Sequence, residues 1–267
     1  MTRFRLLMIV IAVVLVCIAG AGGVWLKTGR MPWEAWFGAS LKAISLEAAR
    51  RDVDATLKGA PEYAPYLLAL NAAFPNDYSR LLGKFASRRA LAGGQESADL
   101  YITDAISSLN QTRGTLAARA SGPALEAIFA AKARITGALA ATDARLCVDF
   151  IYGNSSPGYF DFAAKHRELI AEMAQAELAA IVDGQRARLE RGAPSEADLL
   201  LFEKALNKAG MSRADIEAFV DGKTPEPPLP DAKHCEAGRL YYVVLKTLDE
   251  LVRLRIYGRA VELMAKS

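Results

Sequence analysis

The chain has 267 residues, of which 52% are hydrophobic and 24% charged, with a net charge of +3. Basic residues alternate with acidic ones, which leaves no electrostatic footprint for nucleic acid. The length suits one large domain or two small ones, and the heavy use of alanine favours helix.

Residues 6–26, between Arg5 and Lys27, contain no charge. As a helix rising about 1.5 Å per residue, they reach roughly 30 Å, the thickness of a hydrocarbon core. Such a helix keeps its backbone hydrogen bonds internal and can lie in lipid. The segment reads as a transmembrane signal-anchor. One alternative is a cleaved secretory signal, with residues 1–5 as a basic head and Ala19-Gly20-Ala21 at the cut. Against it, Val24, Trp25 and Leu26 extend the apolar run. Another is a lipoprotein acylated at Cys17, but the preceding Val16 is not small. A short basic head before one long remainder favours a cytoplasmic head and an exported domain. Trp25, Trp33 and Trp36 are the only tryptophans and fall within twelve residues at the outer end of the span. Indole prefers the headgroup layer, so the three are candidate membrane-interface residues. The alternative places Trp33, Trp36 and Phe37 in the soluble core.

Beyond the span the pattern is helical. Residues 33–58 carry Leu41, Ile44 and Ala48 at helical spacing, and Gly59 stops the run; with the link from Lys27 they form a juxtamembrane unit over 27–60. Pro61 starts the next element, with Tyr63, Tyr66, Leu67 and Leu70 on its apolar side. Phe74-Pro75-Asn76-Asp77 reads as a turn ending in a helix cap. Tyr78, Leu81, Leu82 and Phe85 then repeat to Arg88-Arg89. Gly93-Gly94 forms a turn without the following residues of a phosphate loop. Helices are expected over 97–119 and from Pro123 through Leu139. The dense run 146–152 is ambiguous by periodicity, and its helical surroundings favour helix.

Residues 153–158 form a loop rich in Gly, Asn, Ser and Pro. A single long helix is expected over 160–191. Ser195 and Asp198 mark a helix start, Gly210 a stop, and 212–220 a short helix. Residues 223–234 are a stiff proline-rich linker. One final helix is expected within 235–267, with Tyr241, Val244, Leu245, Leu248, Leu251 and Val252 as its core stripe. The expected architecture is all-α: an N-terminal transmembrane helix, a helical domain over 61–222, and a C-terminal helix packed back upon it.

Two cysteines, Cys147 and Cys235, lie outside the span. In an oxidising compartment they are a candidate disulfide. It would close a loop of about 90 residues, for which chain entropy allows roughly 4–5 kcal/mol.

Catalytic constellations are weak. His234, Cys235, Cys147 and His166 are zinc-type ligands but lack the paired spacing of structural zinc sites. Cys147 with His166 as base is conceivable, yet Leu146 and Val148 give the thiol no electropositive surroundings. Glu96 and Glu168 stand for any acid pair that could cleave glycan. No metal or cofactor is expected. Tyr152, Tyr159, Phe160 and Phe162 cluster around the 153–158 loop and are a candidate binding rim, with core filling as the competing role. The functional expectation is a single-pass inner-membrane protein of bacterial type. Its helical domain, periplasmic or extracellular, binds a protein or another envelope component. The alternatives are a cell-wall glycan-acting enzyme, or a soluble exported ligand-binding protein after signal cleavage.

Overall fold

The computed structural model describes residues 44–92, 96–220 and 229–266. Within them the chain is all-α, with twelve α-helices and no strand. The uncharged run at 6–26, Trp25, Trp33 and Trp36, and residues 221–228 lie outside the described residues. Among the described residues, no helix is long and apolar enough to cross a membrane.

Helix α1 (Leu46–Lys58) starts at Ser45, whose backbone is extended (φ −59°, ψ 151°) and whose hydroxyl accepts from the Ala48 amide at 3.1 Å. Of the helix expected over 33–58, the described part runs from Leu46 to Lys58; residues 33–43 lie outside the described residues. The cap satisfies an amide that a helix start leaves open. A 3₁₀ turn (Pro61–Tyr63) leads into α2 (Ala64–Ala73). Phe74 alone separates α2 from α3 (Pro75–Ala92). The expected four-residue turn is thus a one-residue hinge: Pro75 already sits in the first turn, where its missing N–H costs nothing. Helices α1 and α3 pack along each other, and α2 lies against α3.

The centre is built by α4 (Ala98–Ala117), α5 (Gly122–Thr142) and α8 (Arg167–Ala187), with α8 packed on both others. Gly184 permits the approach, since a Cβ there would lie 1.9 Å from the Leu116 carbonyl oxygen. Ile102, Leu125, Ile135, Leu139, Ile170 and Ile181 fill this centre with no exposed surface. The run at 146–152 is helical: α6 (Ala144–Ile151), capped by Asp143 on the amides of Arg145 and Leu146.

The expected helix over 160–191 is two helices, α7 (Pro157–Lys165) and α8, broken at His166 (φ −130°, ψ 38°). No glycine or proline marks the break. Arg167 instead grips buried Asp99 with two hydrogen bonds, at 3.0 and 3.1 Å, and Asp99 also accepts from the Tyr63 hydroxyl at 2.8 Å. This long-range ion pair sets where α8 begins, and local propensity cannot encode it.

Helix α9 (Glu196–Lys208) opens with a reciprocal capping box between Ser195 and Asp198. Helix α10 (Arg213–Val220) follows. The expected single C-terminal helix is also two, α11 (Asp231–Leu245) and α12 (Glu250–Met264). Residues 246–249 turn between them, and Arg253 donates to the Leu248 carbonyl at 3.0 Å across the turn. The break re-aims the second half of the stripe: Val252 is buried, while Leu251, expected in the core, is 73% exposed. Helix α11 packs on α5 and α6, and α12 on α4 and α5, so the C-terminal part completes the bundle.

Candidate functional site

An apolar recess lies among α1, the 3₁₀ turn, α2 and α3. It is an open groove of about 600 Å³, within the size range of ligand pockets. Its walls come from Leu57 on α1, Leu67 and Leu68 on α2, and Tyr78 and Leu82 on α3, with Gly83 beside them. Arg50, Asp54 and Lys58 stand on the α1 rim. Lys58 and Asp54 pair at 2.7 Å, both well exposed; such a surface pair contributes little to stability.

The origin of the groove is local. Helix α2 carries no charged residue, and beyond the Tyr66 hydroxyl its only polar side chain is Asn71. A helix that is apolar on all sides is expected to be covered on all sides. Tyr66 and Leu70 face the core, yet Leu68 is 70% exposed and Ala64 is exposed beside the groove. The outer face of α2 therefore lacks the polar cover that its neighbours have. Gly83 adds to the recess, because a Cβ there would meet nothing within 4 Å.

The sequence-expected site residues fall elsewhere. Cys147 and Cys235 are joined, with Cα atoms 5.6 Å apart and both side chains buried. The bond ties α11 to α6 and bridges 88 positions of sequence. It leaves neither thiol for catalysis or zinc. Among the described residues, no group of three or more His, Cys, Asp or Glu side chains could hold a metal ion.

The four aromatics around the 153–158 loop divide. Tyr159 and Phe162 are buried, Phe160 is partly buried, and Tyr152 is 53% exposed. Tyr159 stacks on Phe150 and Phe162, inside the bundle. Burial pushes its hydroxyl up to about 12. Tyr152 instead meets His234, its hydroxyl 2.6 Å from Nε2. The Phe219 ring lies edge-on to the same imidazole. Burial pulls the His234 pKa down, against the nearby carboxylates of Asp215 and Asp231. His166 is the residue at the α7–α8 break. Glu96 pairs with Arg88 at 2.8 Å, and Glu168 is exposed in the first turn of α8.

A buried polar centre escaped the sequence reading. Lys132 on α5 lies 2.9 Å from Glu177 on α8, and Asn110 on α4 donates to the other carboxylate oxygen at 2.8 Å. Burial opposes the lysine charge, but Glu177 outweighs it, so its pKa rises. Lys132 is thus held as an ammonium rather than a nucleophilic amine. Burial, with Glu177 adding to it, also raises Tyr66. Tyr159 and Tyr66 stay protonated at neutral pH and offer no base. The cavity beside the pair measures about 30 Å³, room for a water-sized guest and not for a substrate. The arrangement locks three helices together and does not resemble an acid–base site.

Neither the groove nor the buried pair was found from the sequence. The absence of charge across residues 64–73 is the signal that could have pointed to the groove. Lys132 and Glu177 gave no signal, because each looks like an ordinary helix charge until α5 and α8 are placed together. No family model, curated protein sequence or solved structure matches this chain.

Proposed function

We propose that the protein is a membrane-anchored binding protein of the cell envelope, whose helical domain engages another protein through the α1–α3 groove. The observation that carries this reading is the charge-free helix α2, with Leu68 70% exposed over an apolar recess of about 600 Å³. Exposed apolar surface next to a groove marks interaction sites more often than chance surface does. The uncharged run at 6–26 supports an anchor. The Cys147–Cys235 bond supports an exported, oxidising setting, since such bonds are rare in the cytoplasm. Anchoring holds the groove near one membrane face and raises its effective concentration for partners there. The groove adjoins α1, the first described helix after the run, so it is joined to the anchor by a short stretch of chain.

The test is affinity purification of the full chain from mild-detergent extracts of native membranes. Leu68→Arg places a charge on the groove wall without disturbing the core. The reading predicts that it strips a protein that co-purifies with the wild type, while Leu201→Arg, at another exposed apolar position, leaves that protein bound. Equal recovery with both variants would overturn the groove as the binding surface.

A further inference from the structure

The walls of the groove restrict what kind of partner can fill it. We infer that the occupant is an amphipathic α-helix of another protein, with an apolar stripe for the floor and carboxylates along the flank that faces α1. This deepens the reading of the groove as a binding surface and rests on it.

The shape calls for a helix. Asp52 on α1 meets Arg89 on α3 at 2.9 Å, while Leu57 and Tyr78 line the groove together, so α1 and α3 run antiparallel. The 13 residues of α1 extend about 20 Å. Each wall presents one helical face, because its lining residues recur at turn spacing: Arg50 to Asp54 to Lys58 on α1, Ala64 to Leu68 on α2, Ser79 to Gly83 on α3. A trough walled by helical faces receives another helix by the same packing that joins helices within a bundle. Addition of a strand would need an open sheet edge, and the described residues include no strand. Nothing lies within 4 Å of where a Cβ on Gly83 would stand. Small residues one turn apart, here Ser79 and Gly83, let two helix backbones come close.

Charge selects the flank. Every charged residue that lines the groove belongs to α1, and the walls from α2 and α3 offer none. Asp54 is already paired with Lys58 at 2.7 Å. Arg50, one turn earlier, is exposed and has no carboxylate partner among the described residues. The groove thus has one cationic edge and two uncharged ones. A carboxylate on the incoming helix answers Arg50, whereas a cation in its place meets like charge. An anionic bilayer is the poorer match, since it attracts clusters of cations, and two of the three edges carry none.

The test selects a displayed library of random peptides, about 16 residues or roughly 24 Å as a helix. The bait is the full chain in lipid nanodiscs, and empty nanodiscs remove lipid binders. The enriched peptides should carry apolar residues at helical spacing with Asp or Glu along one flank, and gain helical circular dichroism on binding. Leu68→Arg, or Gly83→Phe in the open space, should weaken them at least about tenfold. Arg50→Glu should weaken them by roughly two- to fivefold, as for an exposed ion pair, and favour versions with Lys in place of Glu. No enrichment over empty nanodiscs would overturn the inference. So would enriched peptides that are extended, proline-rich or basic, or that bind the Leu68→Arg chain equally well. Peptides whose stripe copies an exposed helix of this chain would overturn it in favour of a second copy. The co-purification test reads a different quantity. A native protein lost on Leu68→Arg, with peptides of the wrong kind, would fault only the helix chemistry. Peptides of the expected kind, with no native protein lost, would fault the reading of the groove as the native binding surface.

Discussion

Two glycines show how differently the two ends of this molecule are packed. Gly184 on α8 lies so close to α4 that an added Cβ would sit 1.9 Å from the Leu116 carbonyl oxygen. Gly83 on α3 faces the groove and would meet nothing within 4 Å. At Gly184 the two helix backbones are in contact, and the Lys132–Glu177–Asn110 centre between the same helices has beside it a cavity of only about 30 Å³. Around Gly83 an apolar helix stands with one face uncovered among the described residues. The closed region has spent its apolar surface on itself. The open region has apolar surface left for something else.

The contrast can be broken most forcefully at the disulfide. Replacing Cys147 and Cys235 together by alanine should lower stability by roughly 4 kcal/mol, from loop closure in the unfolded chain. Urea unfolding reads it, and a change below about 1 kcal/mol would mean the bond constrains little. Next comes the buried pair. Lys132→Met leaves the Glu177 charge buried and uncompensated, at a cost of about 3 kcal/mol or more. The double variant Lys132→Met with Glu177→Leu should recover much of that loss, because two apolar side chains need no partner. If the double variant is as unstable as the single one, packing rather than charge governs the site.

The glycines give opposite signs in one experiment. Gly184→Ala forces the α8 backbone away from Leu116 and should cost about 2 kcal/mol, in the range for overpacking. Gly83→Ala enters open space within a helix and should stabilise by about 0.5–1 kcal/mol. Two losses of similar size would remove the distinction between the regions.

A smaller effect follows from Asp198 on α9. Two hydrogen bonds from Arg255, at 2.8 and 2.7 Å, and then the Ser195 amide hold its carboxyl well below the usual carboxylate range. A folded-state pKa below the unfolded value gives stability that is present above about pH 4, the unfolded carboxylate value, and lost as pH falls toward the folded one. The thermal midpoint should therefore fall on acidification, and less steeply in Asp198→Asn. An identical slope in the variant would rule out this contribution.

Much of the fold was legible because helices announce themselves locally. Ser97, Ser195 and the prolines at 61 and 123 mark starts, and apolar spacing fills the lengths between, whereas Pro75 and Pro157, read as turn and loop residues, in fact open helices. The cysteine pair was legible by counting, since the two thiols outside the apolar run have only each other. The breaks at His166 and at 246–249 were not. The first follows from the Arg167–Asp99 grip, which joins residues 68 positions apart. The second follows a Thr-Leu-Asp-Glu stretch that resembles a helix start but lies within an unbroken apolar period. Of the sites, the aromatic rim was visible as composition, but composition does not say that Tyr159 and Phe162 turn inward while Tyr152 turns out to His234. The groove needs the relative placement of three helices, and only the lack of charge on α2 hints at it.

The account depends most on the groove being a surface that other molecules touch. A photo-crosslinking side chain placed at Leu68, and separately at Leu201, in the full chain within intact membranes tests that directly. The account predicts one discrete covalent adduct to another protein from position 68 and none from 201. Adducts only from 201, or the same adducts from both, would contradict it.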